Sequence, residues 1–244
     1  MKTTKIEWTE KVWNPSIGCT KISPGCKNCY AEVFARRLQA MGKEEYKDGF
    51  KFKILPHRLS EPLKIKKPTK FFVNSMSDLF HEQMPFSFLD QVFEVIEKTP
   101  QHIYQILTKR DAIMLKYFSN RKPADNVWLG VSVENAKFKY RIDNLRKIPA
   151  TIKFISFEPL LGAVGELDLS DIQWVIVGGE SGHKARPMKS QWVEEIFIQA
   201  KKQNVAFFFK QWGTWGADMV KRSKSKNGRL FQGKEWNEYP AIVH

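Results

Sequence analysis

The sequence predicts an α/β chain built on parallel strands, a complete or partial (β/α) TIM-type barrel. Three observations carry this. From Lys70 onward, apolar runs of strand length alternate with segments of helical period. The runs are apolar throughout, as strands covered by helices on both faces are. Nearly every run then ends in charged or hydroxyl residues, which suits a binding rim beyond the C-terminal strand ends. Six or seven such units fit a barrel or part of one. A doubly wound open sheet satisfies the same periodicity and stands as the competing architecture.

In chain order, residues 1–14 read as a short extended or hairpin lead-in, with Trp8 and Trp13 available for packing. Residues 15–28 form a loop rich in Gly, Pro, Ser and Thr. A helix is expected from Cys29 to Met41, with Ala31, Phe34, Ala35, Leu38 and Met41 on one apolar stripe and Gly42 as its stop. Residues 42–70 are basic and irregular. Strands follow at Lys70–Ser75, Ile103–Thr108, Val127–Val133, Ile152–Phe157, Gln173–Gly178 and Val205–Lys210. Helices are expected at Phe86–Lys98, Asp111–Phe118, Glu134–Lys147 and Ser190–Gln203. Ser132 suits the cap of the third of these helices and Glu134 its dipole. The chain therefore reads as a barrel domain over residues 1–213, with a cysteine loop at 19–29. A polar, basic extension over residues 214–244 packs on it; Lys221–Arg229 holds five basic residues and no acid.

The net charge is +14, from 40 Lys and Arg against 26 Asp and Glu. An imbalance of this size points to a polyanion such as DNA or RNA, through phosphate neutralisation. No apolar run approaches the roughly 18–20 residues that span a bilayer. No basic amphipathic helix suggests a membrane surface, and residues 1–10 lack a signal-peptide core. The expectation is a cytoplasmic protein with no membrane partner.

The strand ends gather Asn74, Ser75, Ser77 and Asp78; Thr108, Lys109 and Arg110; Ser132 and Glu134; Ser156 and Glu158; Gly178–Gly182; and Lys210, Gln211 and Trp212. Any one of them is as readily a cap or a solvated loop residue. As a set they favour a polar binding face. The Gly178–Gly182 stretch, GGESG, lets backbone N–H groups approach an anion but has neither dinucleotide nor P-loop spacing.

The three cysteines fall within eleven residues, as Cys19-x6-Cys26-x2-Cys29. An odd count without an export signal argues against a disulfide framework. Lys21 and Lys27 in the same loop favour thiolates and offset a cluster's negative charge. A structural zinc site wants four ligands, and none of His57, His81, His102, His183 and His244 lies beside the loop in sequence. A cubane with three protein thiolates leaves one iron open for chemistry. Cluster, zinc and free structural thiols remain the three readings of the loop itself.

Longer motifs surround the loop: WNPSIGCTKISPGCKNCYAE (Trp13–Glu32), SDLFHE (Ser77–Glu82), LTKR (Leu107–Arg110), WLGVSVEN (Trp128–Asn135), FISFEPLLG (Phe154–Gly162), WVIVGGESG (Trp174–Gly182) with Arg186–Pro187, and FFKQWG (Phe208–Gly213). With these motifs and its βα series, the chain resembles the radical S-adenosylmethionine (SAM) superfamily. Within it, the chain is most similar to a phage- and mobile-element-associated three-cysteine-motif family of poorly defined function. Three departures stand out. The superfamily's usual spacing is C-x3-C-x2-C; here the first gap is six. An aromatic residue usually precedes the last cysteine; here Asn28 does, and Tyr30 follows. The Gly-Gly-Glu that usually follows the second strand comes late here, at Gly178–Glu180, and Asn74–Asp78 takes its place.

The resemblance implies a [4Fe–4S] cluster whose open iron chelates SAM by its amino and carboxylate groups. One-electron reduction then yields a 5′-deoxyadenosyl radical that abstracts hydrogen from substrate. It implies that Cys19, Cys26 and Cys29 hold the iron. Ser75 and Asp78 would contact the methionine part of SAM, Lys109 its carboxylate, and Tyr30 and Ser132 the rest of its pocket. Glu134, Glu158 and Glu180 would hold ribose hydroxyls, the amino group or substrate. Glu158, Glu180 and Lys210 form the expected catalytic set. The expected partners are nucleic acid and a one-electron reductant, and the expected function is DNA or RNA base modification or repair. The spore photoproduct lyase branch supplies the analogy for repair. The rival from another class is a non-catalytic nucleic-acid-binding phage accessory protein with a structural metal site. A third reading is an accessory protein that works only with a partner subunit.

Overall fold

The computed structural model of the protein describes residues 4 and 6–241. Residues 1–3 and 5 of the expected lead-in, and residues 242–244 of the expected extension, His244 included, lie outside the described residues. Seven strands form the main sheet: β1 (Lys11–Trp13), β2 (Lys70–Val73), β3 (Ile103–Thr108), β4 (Val127–Ser132), β5 (Ile152–Phe157), β6 (Trp174–Gly178) and β7 (Ala206–Gln211). They stand in the sheet in chain order, and β1–β2, β2–β3, β5–β6 and β6–β7 pair in parallel. A doubly wound sheet must reverse its strand order at a switch point. No reversal occurs, so the architecture is the partial (β/α) barrel. Every residue of β4, β5 and β6 is buried, as parallel strands covered on both faces require.

The helices are α1 (Tyr30–Ala40), α2 (Phe86–Glu97), α3 (Asp111–Tyr117), α4 (Tyr140–Arg146), α5 (Ser190–Lys202) and the single turn α6 (Lys224–Asn227). Among the described residues no helix is long and apolar enough to cross a membrane. The chain divides into two compact units. The first runs to Gly130 and includes Lys147–Thr151; the second comprises Val131–Arg146 and the chain from Ile152 onward.

In the first unit, the lead-in is not a hairpin: β1 pairs in parallel with β2, Val12 opposite Phe72. The irregular stretch after α1 supplies the two-residue strand Lys53–Ile54, antiparallel to Ser16–Ile17. A small core of Ile17, Ala31, Ala35, Tyr46, Leu55 and Met76 forms beside it, with Cys29, Leu38 and Phe50 packed against it. The apolar stripe expected on α1 is therefore narrower than read. Ala31, Ala35 and Leu38 face inward, whereas Phe34 is 49% and Met41 69% exposed. Small alanines let the helix lie close to its core and turn the larger side chains outward. Gly42, at φ 69°, follows the helix end as expected.

In the second unit, the expected helix over Glu134–Lys147 is broken. A 3₁₀ turn at Ala136–Phe138 precedes α4. The turn is capped by Asn135, whose side chain accepts from the Lys137 N–H, rather than by Ser132. Glu134 stays outside the helix because Arg141 holds it in the interior. The chain after residue 213 packs on β6, β7 and α5. Trp174 Nε1 donates to the Glu238 carbonyl (2.8 Å), Tyr239 stacks on Trp174, and Trp236 meets Phe197 edge-on.

Candidate cysteine site and charged strand ends

The cysteine loop is pinned at both ends. At its start, the Gly18 N–H donates to the Met76 carbonyl (2.9 Å) and Ser77 Oγ donates to the Gly18 carbonyl (2.6 Å). Gly18 has φ 75°, and a Cβ there would overlap the Lys51 carbonyl oxygen; only glycine fits this approach. At its end, Cys29 is the N-cap residue of α1, and the Tyr30 hydroxyl donates to the Ser75 carbonyl (2.6 Å). All three cysteines are free and half-buried.

The cations at the end of β3 face two of the sulfurs, those of Cys19 and Cys26. Arg110 spends all five of its N–H donors. Nε binds Glu82 (2.6 Å); Nη1 binds Cys19 Sγ (3.4 Å) and Asp78 (3.2 Å); Nη2 binds the Thr20 carbonyl (3.2 Å) and hydroxyl (2.8 Å). The side chain is only 5% exposed. Burial pushes the Cys19 thiol up to about 11, with the Asp78 charge adding to it and Arg110 opposing both. Burial acts on Cys26 in the same direction. There it is outweighed by the Lys109 ammonium and by hydrogen bonds from Ser23 and the Ile22–Ser23 backbone, which hold Cys26 below the usual thiol value.

Asp78 is committed to the framework. Its oxygens accept from Phe80 N–H (3.0 Å), Thr108 Oγ1 (2.7 Å), Lys109 N–H (3.2 Å) and Arg110. Ser75 donates to Asn14 (3.2 Å). His81 is fully buried; burial and the Arg110 charge lower its pKa. Its Nδ1 accepts from the Gln83 N–H (3.1 Å), so Nε2 carries the proton and donates toward Thr20 (3.2 Å).

The second unit has its own charged strand ends. Glu134 and Arg141 form a pair at 2.9 Å that is 0% and 1% exposed, and Arg141 also donates to the Ser132 carbonyl (2.7 Å). Glu158 accepts from Ser156 (3.3 Å) and faces Lys210 Nζ at 3.1 Å. Glu180 takes three donors from Arg186, at 2.8 Å from the backbone and at 3.0 and 2.6 Å from the guanidinium. Gly179 lies against the Trp212 carbonyl so closely that any Cβ would overlap it. Gln211 donates to Gly179 O (3.3 Å) and Ser181 Oγ (3.2 Å), and no donor reaches its buried Oε1. An acceptor without a donor costs about 1–3 kcal/mol unless a water or a ligand supplies one.

In the first unit the structure thus brings Cys19, Cys26, Asp78 and Lys109 together around Arg110, and Tyr30 meets Ser75. Ser132 and Glu134 meet in one place in the second unit, and Glu158 and Lys210 in another. Among the described residues, no three His, Cys, Asp or Glu side chains are gathered as a ready metal group. The donor chemistry of the loop, three free thiols of which Cys19 lies on Arg110 and Cys26 feels Lys109, suits an anionic iron–sulfur cluster. The sequence reading missed the hub of the site, the Arg110–Glu82–Thr20–His81 network. SDLFHE held His81 and Glu82, LTKR held Arg110 and the cysteine-loop motif held Thr20, and only the fold sets them side by side.

Fold and site together define a partial-barrel α/β protein with a three-cysteine loop. The chain belongs to the family described as "Protein of unknown function (DUF5131)", whose model matches residues 3–240. No curated protein matches it. Two solved structures are similar in fold. One is a cysteine-to-serine mutant of spore photoproduct lyase (TM-score 0.50, 14% identity, 73% of this chain and 58% of that one). The other is spore photoproduct lyase complexed with dinucleoside spore photoproduct (TM-score 0.51, 13% identity, 82% of this chain and 63% of that one). The chain therefore spans less than two thirds of the length of the proteins it resembles in fold.

Proposed function

We propose that the protein is a radical SAM iron–sulfur enzyme that modifies or repairs a nucleic-acid base. The observation that carries this reading is the set of three free thiols in one loop, with Arg110 on Cys19 and Lys109 acting on Cys26 from the end of β3. The fold shared with spore photoproduct lyase supports it, as do the chain's basic balance and the mobile-element association that the motifs imply.

When bound, the [4Fe–4S] cluster with SAM supplies a carbon radical able to take hydrogen from an unactivated position. The protein's own residues do the rest. Cys19, Cys26 and Cys29 hold iron, and Arg110 fixes Cys19 and balances its charge. Asp78 and Ser75 keep the strand ends in register around the methionine portion of SAM, with Lys109 available to its carboxylate and Tyr30 closing the loop. In the second unit, Glu158 with Lys210, Glu180 with Arg186, and Gln211 Oε1 offer acceptors to the amino, hydroxyl and amide groups of a base. The buried Glu134 and the Ser132 carbonyl are both held by Arg141, which keeps this strand end in place. The source of the electron is a one-electron reductant.

The test uses anaerobically reconstituted protein. Iron and sulfide content and the reduced-state spectrum are measured with and without SAM. About four iron per chain and a signal perturbed by SAM are expected. Zinc in place of iron, or a cluster blind to SAM, would replace this reading with a metal-stabilised binding protein.

A further inference from the structure

Half of the chain's net charge sits in about a tenth of its length. Residues 181–189 and 214–230 together carry eight Lys and Arg against one Asp, +7 of the chain's +14. The two segments are far apart in sequence but are stitched into one surface of the second unit. The Gly182 N–H donates to Thr214 Oγ1 (2.9 Å), Lys221 Nζ to the His183 carbonyl (2.8 Å) and Trp215 Nε1 to the Ala185 carbonyl (2.7 Å). Behind them, Arg229 Nε donates to the Lys210 carbonyl (2.9 Å) and Trp212 Nε1 to the Leu230 carbonyl (2.8 Å). The basic segment is thereby tied to the strand that carries Lys210.

Among the eight cations, the arginines have carboxylates beside them: Arg186 has Glu180, Arg222 has Asp218 and Arg229 has Glu235. Lys184, Lys189, Lys221, Lys224 and Lys226 are exposed, with Ser223 and Ser225 between the last of them. A solvated charge run normally mixes signs. Here backbone hydrogen bonds hold like charges together against their own repulsion, which a polyanion offsets.

We propose that this surface binds the phosphate backbone of a nucleic acid and brings the strand to the ends of β6 and β7, beside Glu180, Glu158 and Lys210. This rests on the nucleic-acid reading above and names the part of the protein that holds the polymer. Backbone contact of this kind carries no base preference; it sets register and affinity.

The test is fluorescence anisotropy of a labelled oligothymidylate with the full chain, titrated between about 50 and 200 mM salt. The patch variant is Lys184→Gln/Lys224→Gln/Lys226→Gln. A control with equal loss of charge is Lys64→Gln/Lys66→Gln/Lys67→Gln, in the first unit. Each phosphate contact on a single strand contributes ~0.7 to the slope of log affinity against log salt. The patch variant should lower that slope by about 2 and weaken binding by at least about tenfold at the lower salt. The control should stay near wild type, and the corresponding Lys→Arg patch variant should bind normally. Equal losses in patch variant and control would overturn the proposal, because net charge alone would then explain binding. So would binding to phosphatidylserine vesicles with none to the oligonucleotide. Wild-type protein that holds iron and responds to SAM yet binds no oligonucleotide sinks this surface alone. A patch-dependent slope in protein that takes up no iron sinks the enzyme reading and leaves the surface standing.

Discussion

Among the described residues, Arg141–Glu134 in the second unit and Arg110–Asp78 in the first are arginine–carboxylate pairs buried at strand ends, and they do different work. Arg141 and Glu134 lie seven residues apart in sequence, are sealed from water, and close a local turn over Ser132. Arg110 reaches from β3 to three separate places, Asp78, Glu82 and the first residues of the cysteine loop, and ends on a sulfur. The first pair is a local clamp. The second ties the cysteine loop to the sheet, and its cost of burial is shared among Asp78, Glu82, Thr20 and a sulfur. A buried ion pair is thus informative by where its spare donors go rather than by its own geometry.

The largest effect should separate the loop from both pairs. Cys26→Ser should reduce bound iron from about four per chain to background, read by iron and sulfide assay, while the thermal unfolding midpoint of protein purified without iron stays near wild type. Next comes Arg141→Met, which leaves Glu134 buried without its partner. It should lose about 3–5 kcal/mol in denaturant titration, with iron per folded chain unchanged. Arg110→Met should cost less stability, about 2–3 kcal/mol, because Glu82 is 46% exposed and water takes over part of its solvation. Unlike the Arg141 variant, it should also lower the midpoint potential of the bound iron, as a positive charge leaves the sulfurs. Arg110→Lys should restore most of the potential but not the stability, since a lysine cannot span three anchors. If Arg110→Met and Arg141→Met behave alike in both measurements, the distinction between the pairs is lost.

The smallest effect is in acid. Burial alone would raise the Glu82 pKa, but hydrogen bonds from Arg110 and Thr20 outweigh it and hold the carboxyl at about 2, against an ordinary value of 4.5. Its contribution to stability is therefore complete above about pH 4.5 and is lost as pH falls toward about 2. With half of the group in water, the loss should be under about 1 kcal/mol. Glu82→Gln should flatten that stretch of the stability–pH profile, measured by urea unfolding.

The parallel strands were legible because both their faces are apolar, and the observed bounds of β3 and β5 match the expected ones to the residue. The break before α4 was not, because Glu134 suits a helix start equally well when Arg141 is ignored. Phe34 and Met41 were assigned to the core because periodicity locates a face but not the size of what it packs against. Asp78 and Lys109 were singled out as ligand contacts from their strand-end positions. Arg110, gathered in the same strand-end set, was given no role of its own because its partners lie 28 to 91 residues away, a distance that no local pattern spans.

The double anchorage of the cysteine loop has a consequence for how this chain can vary. Gly18 is fixed by Met76 and Ser77, and Cys29 by the start of α1, so the segment between them is a closed span on a rigid base. Lengthening such a span is cheap: each doubling adds only about 0.6 kcal/mol of closure entropy. The six-residue gap after Cys19 is therefore a dimension in which related sequences can drift by insertion, bulging outward near Lys21–Ser23, without shifting the two ends that locate the sulfurs.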